Sequence, residues 1–209
     1  MTVPVGARRV TVAGTRLPGW LAGFAERHGS PAVAGDSSVV TLVGPDGARA
    51  WIEVPFPPLV GPPLSASLVE HVSVVRRVGV LLVRRGGYAA GVFVGVSLVA
   101  SKVGSSYVQG TTKAGGWSQQ RYARRRANQA TAAFAHAADG AAGVLGSAQL
   151  EALVLGGDRA AVQAVLADRR LAHLAELVTG PWLAVKDPRL RVLQATPEQF
   201  LAVRISLDP

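Results

Sequence analysis

Residues 113–129, KAGGWSQQRYARRRANQ, combine two adjacent glycines, two adjacent glutamines and four closely spaced arginines. A glutamine amide does not titrate near neutral pH, so it is not a true general base. It donates and accepts hydrogen bonds, however, so it can hold a water molecule and shape a transition state. The glycines Gly115 and Gly116 allow the backbone to enter places where a Cβ would collide. The glycine pair has two further interpretations, a flexible entry loop to the helix that follows and a loop that cradles a phosphate on its free N–H groups.

The four arginines lie in a stretch without acidic residues, which extends over residues 113–138. On a helix, Arg121, Arg124 and Arg125 fall opposite an apolar stripe, and Arg126 lies beside that stripe. Without Asp or Glu partners four residues away, these charges repel one another unless an external anion neutralises them. An ordinary solvated face is the alternative interpretation. The planar guanidinium group suits phosphate, which favours nucleic-acid contact.

The composition narrows the class of protein. The 209 residues carry a net charge of +9, which favours a polyanionic partner. There is no cysteine, and none of the four histidines forms a His-x-x-x-His pair, so we expect no metal and no cofactor. No apolar run reaches the roughly 18 residues of a membrane span. Because the N-terminal residues also lack the apolar block of a signal peptide, we expect a cytoplasmic protein.

The N-terminal part predicts a small α/β unit over residues 1–56. Residues 18–28 favour a short helix that ends at Gly29. Two β-rich runs, 39–43 and 48–54, surround a Gly-Pro-Asp-Gly turn and predict a hairpin. The next segment, 57–65, holds four prolines and is typical of a connector.

Residues 66–209 predict a second, larger domain that starts with a short helix over 66–72. Valine-rich runs then predict an antiparallel meander with strands at 77–83, 88–94 and 97–103. A long alanine-rich helix follows from Gln120 to about Ala142. Its apolar stripe consists of Ala123, Ala127, Ala130, Phe134, Ala137 and Ala141.

The remaining segments predict further elements of the same domain. A buried strand over 152–155 precedes a helix with Asp158 as its N-cap, an order that implies a parallel addition to the sheet. The tail predicts a strand near 190–194 and a helix that starts at Thr196-Pro-Glu.

Residues 115–129, GGWSQQRYARRRANQ, resemble the catalytic loop and following helix of eukaryotic and archaeal class I peptide-release factors. In that family a Gly-Gly-Gln tripeptide precedes a helix beginning Arg-Phe-Ala-Arg-x-Arg, and residues 121–126 here read RYARRR. The valine-rich runs and the later LEALVLGGDRAAV also fit that domain, over roughly residues 75–168. The chain is most similar to the Vms-like branch, specifically its actinobacterial release-factor family of peptidyl-tRNA hydrolases.

The resemblance implies a fold and a catalytic residue. The fold is an RNase H-like mixed sheet with flanking helices, without the Asp/Glu cluster that a two-metal nuclease needs. Trp117 stands at the position aligned with the glutamine of Gly-Gly-Gln. In the Vms-like branch the glutamine comes slightly later, as Gly-x-x-Gln, so Gln119 is the implied catalytic residue and Gln120 the alternative.

The implied activity is hydrolysis of peptidyl-tRNA, as in rescue of stalled nascent chains on the large ribosomal subunit. Gln119 would orient water, while Lys113 and the four arginines would bind phosphates of rRNA or tRNA. We expect a monomer that needs no metal and no membrane. Two other hypotheses stay open: a ribosome-binding rescue module that lost the chemistry, and a basic RNA-binding α/β protein unrelated to translation.

Overall fold

The computed structural model describes residues 6–105 and 118–208, with the backbone alone over residues 118–128. The chain forms two compact units, one made of Met1–Val75 with Pro197–Pro209 and the other of Arg76–Thr196. This division differs from the predicted boundaries. Residues 66–75 and 197–209 lie in the first unit, whereas the sequence pattern assigned them to the second.

The first unit holds a sheet in the order β1-β9-β4-β3-β2, with antiparallel neighbours throughout. Its strands are β1 (Arg8–Ala13), β2 (Ala32–Gly35), β3 (Val39–Val43), β4 (Arg49–Glu53) and β9 (Ala202–Leu207). The C-terminal strand β9 lies between β1 and β4 and buries Val203 and Ile205 in the core. This pairing explains why the C-terminal residues belong to the first unit.

Three helices accompany this sheet: α1 (Leu17–His28), α2 (Ser65–Ser73) and α6 (Pro197–Phe200). Leu17 and Phe24 of α1 and Leu68 of α2 are buried in the core of this unit. Gly29, at φ +76°, follows α1, as predicted. The predicted hairpin is confirmed as β3 and β4, whereas β1, β2 and β9 were not predicted.

The second unit contains a four-stranded sheet in the order β7-β6-β5-β8. Its strands are β5 (Arg77–Arg84), β6 (Gly87–Val94), β7 (Ser97–Ser105) and β8 (Ala152–Gly157). The first three pair as an antiparallel meander, and β8 lies parallel to β5. Both predictions are confirmed. This is the mixed sheet expected of an RNase H-like domain.

Helices cover both faces of this sheet. They are α3 (Ser118–Leu145), α4 (Arg159–Leu166) and α5 (Leu190–Gln194). Leu81 and Leu155 share one core with residues of α3 and α4. The Asp158 side chain accepts a hydrogen bond from the Ala161 amide at 3.1 Å, which confirms the predicted N-cap of α4.

None of the described helices has both the length and the apolar character needed to cross a membrane.

The predicted strand near residues 190–194 is wrong, because this segment is the helix α5. Leu193 is fully buried and packs closely on Gly91 of β6. A Cβ added to Gly91 would lie 2.9 Å from the Cδ2 atom of Leu193. The Arg189 carbonyl accepts hydrogen bonds from the amides of Val192 and Leu193, each at 3.0 Å. The helical turn thus satisfies the backbone while Leu193 fills the space above the glycine.

Candidate functional site

The predicted catalytic segment connects β7 with α3 in the second unit. Lys113, Gly115 and Gly116 lie outside the described residues. Gln119 and Gln120 fall in the first turn of α3, which begins at Ser118, slightly before the predicted start. The four predicted arginines, Arg121, Arg124, Arg125 and Arg126, follow within the next turns of the same helix. The backbone therefore brings the glutamines and the arginines together at one end of α3.

The opposite end of α3 holds the helix to the sheet. Over residues 129–145, where burial is described, the buried residues are Ala137, Ala138, Ala141 and Leu145. Phe134 is partly buried against the same core. The predicted apolar stripe is confirmed at Phe134, Ala137 and Ala141. Ala130 is half-buried, and Ala123 and Ala127 lie where side chains are not described.

The direction of α3 follows from its contacts with β5 and β6. Leu145 lies against Gly79, near the start of β5. His136 packs edge to face on Tyr88, with ring centroids 5.6 Å apart, and Tyr88 pairs with Val83 near the end of β5. The helix therefore runs antiparallel to β5. It passes the end of the sheet at which the β5–β6 turn lies.

The start of α3 lies well beyond that end of the sheet. Ser118 precedes His136 by 18 residues, which corresponds to about 27 Å of helix axis at the usual rise per residue. The paired part of the β5–β6 hairpin ends at Arg84 and Gly87, one residue beyond Tyr88, and only the turn residues Arg85 and Gly86 follow. Helix α3 thus carries the glutamines and arginines away from the sheet as an arm. We define the arm as residues 118–133.

The nearest carboxylate along this helix already has a partner. Asp139 is the first acidic residue after Lys113, and its Oδ1 atom accepts a hydrogen bond from Arg170 at 2.7 Å. Arg170 also binds Asp168 through two hydrogen bonds, at 2.9 and 2.7 Å. These bonds lower the pKa of Asp168 to about 2. Because Asp139 is engaged by Arg170, its carboxylate already has a cationic partner within the second unit.

The described part of the chain contains no group of side chains with metal-binding geometry. Over residues 6–105 and 118–208, no three His, Asp or Glu side chains converge on one point that could hold a metal ion.

The chain is similar to solved structures of two archaeal proteins. An archaeal translation termination factor, aRF1, shares 14% identity at a TM-score of 0.44, with 77% of this chain and 51% of that chain covered. Archaeoglobus fulgidus Pelota shares 10% identity at a TM-score of 0.30, with 96% and 66% covered. The chain thus spans about half the length of the archaeal termination factor. No curated protein matches the sequence.

A family profile described as the Actinobacteria/chloroflexi VLRF1 release factor matches residues 76–206. The match starts where the second unit starts and extends through most of β9 in the first unit. It covers more than half of the sequence and includes the whole segment that connects β7 with α3. The chain therefore belongs to the VLRF1 release-factor family of actinobacteria and chloroflexi.

Proposed function

We propose that this protein is a peptidyl-tRNA hydrolase that releases nascent peptides from stalled large ribosomal subunits. Membership of a release-factor family supports a role in translation termination or rescue. The finer assignment rests on one observation. A single segment joins a glycine pair to two glutamines and four arginines at the start of a helix that extends past its sheet.

The proposed chemistry is attack of water on the ester that joins the peptide to tRNA. A bond forms between the water oxygen and the ester carbonyl carbon, and the bond to the ribose oxygen breaks. The tRNA regains its hydroxyl group and the peptide leaves as a carboxylic acid. In this proposal the side-chain amide of Gln119 accepts a hydrogen bond from the water and so holds it in place. The amide does not remove a proton from the water. Gln120 is the alternative for this role.

The arm and the loop before it would extend towards RNA and bind it. Gly115 and Gly116 would let the loop approach crowded RNA, because a side chain there would meet the nucleic acid. Lys113 and the arginines of α3 would bind phosphates of rRNA or tRNA. Each such contact displaces counterions, so we expect binding to weaken steeply with salt. We propose that the protein acts in the cytoplasm as a monomer without a cofactor.

The proposal is tested by peptide release from purified large subunits that carry a radiolabelled peptidyl-tRNA. The full chain should release peptide from these subunits much faster than it hydrolyses free peptidyl-tRNA, because the ribosomal RNA completes the site. Gln163→Ala is a suitable control for glutamine variants, since Gln163 is exposed on α4 of the same unit. No release above the rate with buffer alone would refute the proposal.

A second candidate is a ribosome-binding rescue module without catalytic activity. It is favoured by Trp117, which stands where the resemblance to Gly-Gly-Gln would place the catalytic glutamine. Cosedimentation separates the candidates when it is run beside the release assay. Stable binding to large subunits without peptide release would support the second candidate. Equal binding to ribosomal and unrelated RNA, again without release, would instead support a general RNA-binding role.

A further inference from the structure

A groove opens on the second unit between the β5–β6 turn and the loop that precedes α5. Its volume is about 670 Å³. Arg84, the last residue of β5, and Arg85 of the turn line it, as do Lys186 and Arg189 of the loop. Among the described residues that line the groove, Asp187 is the one carboxylate. The groove is thus lined by cations from two segments of the chain, which we call its two cationic walls.

Most of this charge is not neutralised within the described part of the chain. Asp187 pairs with Arg189, whose Nε donates to the carboxylate at 2.5 Å. Arg84, Arg85 and Lys186 are exposed, and no described carboxylate lies within ion-pair distance of them. Three neighbouring cations without partners repel one another, so an anion in the groove would relieve that repulsion.

The surface between the cationic walls is formed partly by backbone. Gly87 lies so close to the neighbouring strand that a Cβ on it would be 2.7 Å from the Gly104 carbonyl oxygen. A Cβ on Gly104 would in turn lie 2.3 Å from the Tyr88 ring. Close packing with neighbouring residues therefore requires glycine at both positions. The groove is lined there by backbone, and no side chain of Gly86, Gly87 or Gly104 separates an anion in the groove from the cations that line it.

The position of the groove connects it with the catalytic segment. Ser105, which also lines the groove, pairs with Gly87 and is the last residue of β7. The chain continues from there into residues 106–117, which contain Gly115 and Gly116. A polyanion in the groove would therefore lie at the base of the segment that we propose to enter the ribosome.

We propose that this groove binds the phosphate backbone of ribosomal RNA, as a second anchor separate from the arginines of α3. This inference rests on the proposed function for the identity of the RNA. Cations on two walls fit consecutive phosphates of one strand, and the guanidinium groups of Arg84 and Arg85 suit phosphate oxygens. The contact would be independent of sequence, because it involves phosphates and not base edges.

The test compares two triple variants of the full chain that remove the same charge. The groove variant is Arg84→Ala, Arg85→Ala and Lys186→Ala. The control variant is Arg77→Ala, Arg169→Ala and Arg191→Ala, three exposed arginines of the same unit that do not line the groove. Binding is measured to large subunits by cosedimentation and to a short fluorescein-labelled RNA stem-loop by anisotropy, each over a series of salt concentrations.

We expect the groove variant to bind both the subunits and the stem-loop roughly tenfold more weakly at moderate salt than the wild type. The slope of log affinity against log salt should fall by about two units, since up to three phosphates are no longer neutralised by the protein. The control variant should change both quantities clearly less. Circular dichroism spectra that match the wild type would show that both variants are folded.

Three results would overturn the inference. The groove variant could bind like the wild type, or both variants could lose affinity equally, which would mean that only net charge matters. Weaker binding to subunits with unchanged binding to the stem-loop would assign the groove to a ribosomal protein. The proposed function is judged separately. If the wild type releases no peptide while the groove variant still loses affinity for RNA, the function fails and the groove stands.

Discussion

The hydroxyl group of Tyr88 lies so close to Gly140 that a Cβ added to this glycine would be 1.9 Å from its oxygen. Gly104 of β7 contacts the same ring, which is only 1% exposed. A glycine of the long helix and a glycine of the edge strand therefore flank one buried aromatic ring. Because α3 carries Gln119 at its far end, this packing sets the position of the helix from which the proposed catalytic residue extends.

Replacement of Gly140 by alanine should destabilise the protein, although alanine normally favours a helix by about 1 kcal/mol over glycine. The added Cβ would force the Tyr88 ring or the helix to move, and overpacking of this kind costs typically about 1–3 kcal/mol. Gly143→Ala is the matched control, since Gly143 lies three residues further along α3 with nothing within 4 Å of an added Cβ. It should stabilise the protein by about 0.5–1 kcal/mol. Urea denaturation measures both changes. Equal stability of the two variants would contradict the role of Gly140.

Tyr88 should make the stability fall at high pH. Burial, with a smaller effect from Asp139, raises the pKa of the Tyr88 phenol above its ordinary value of 10. The folded state therefore holds this proton more tightly than the unfolded state, and the stabilisation is complete below pH 10. It is lost as the pH rises above that value. Tyr88→Phe should lack this part of the pH dependence in urea denaturation between about pH 9 and pH 11. Identical profiles for Tyr88→Phe and the wild type would disprove the assignment.

The ion-pair cluster of Arg170 with Asp168 and Asp139 should weaken in acid. The hydrogen bonds from Arg170 lower the pKa of Asp168 from 3.8 to about 2, so its contribution to stability is present above pH 3.8. That contribution is lost as the pH falls towards 2. Arg170→Ala should lower the urea midpoint at neutral pH by a small amount, since these side chains are partly exposed. The difference should shrink near pH 2. A difference that is constant with pH would mean that packing of the Arg170 side chain, and not its charge, stabilises the protein.

The arginines of α3 should determine affinity more than the rate of the chemical step. Arg124→Ala combined with Arg125→Ala should weaken binding to large subunits and flatten its salt dependence, by something under one unit for each phosphate that is no longer bound. The effect should appear in the protein concentration that gives half-maximal release, because Gln119 and the glycine pair are unchanged. Cosedimentation and release curves over a protein titration measure both quantities. A large fall in the maximal rate with unchanged affinity would place these arginines in the catalytic site.

Local sequence patterns predicted most elements of the second unit, with the exception of helix α5, because each element depends mainly on its own periodicity and turns. The valine-rich meander, the parallel strand β8 and its Asp158-capped helix α4 were all confirmed. Such local patterns do not predict which strands pair when the strands are distant in the sequence. Strand β9 completes the first unit by pairing with β1, from the other end of the chain, and nothing in its own residues indicates that partner.

The candidate site shows the same limit. The glutamines and arginines lie within a few turns of one helix, so spacing alone suggested that they act together. The groove brings Arg84 and Arg85 beside Lys186 and Arg189, which follow far later in the sequence. Residues 84–87 simply fall between the predicted strands 77–83 and 88–94. The contact between Tyr88 and Gly140 was likewise not predicted, because a glycine within a helix does not reveal which side chain it accommodates.

The central claim is that Gln119 performs the release chemistry, and it is tested most directly by the rate of peptide release at saturating protein. Gln119→Ala should lower this rate roughly a hundredfold or more, in line with the removal of one group that positions the reacting atoms. Gln120→Ala and the control Gln163→Ala should release peptide at close to the wild-type rate. All variants should cosediment with large subunits like the wild type. Full release by Gln119→Ala, under conditions where Gln120→Ala is also fully active, would contradict the account.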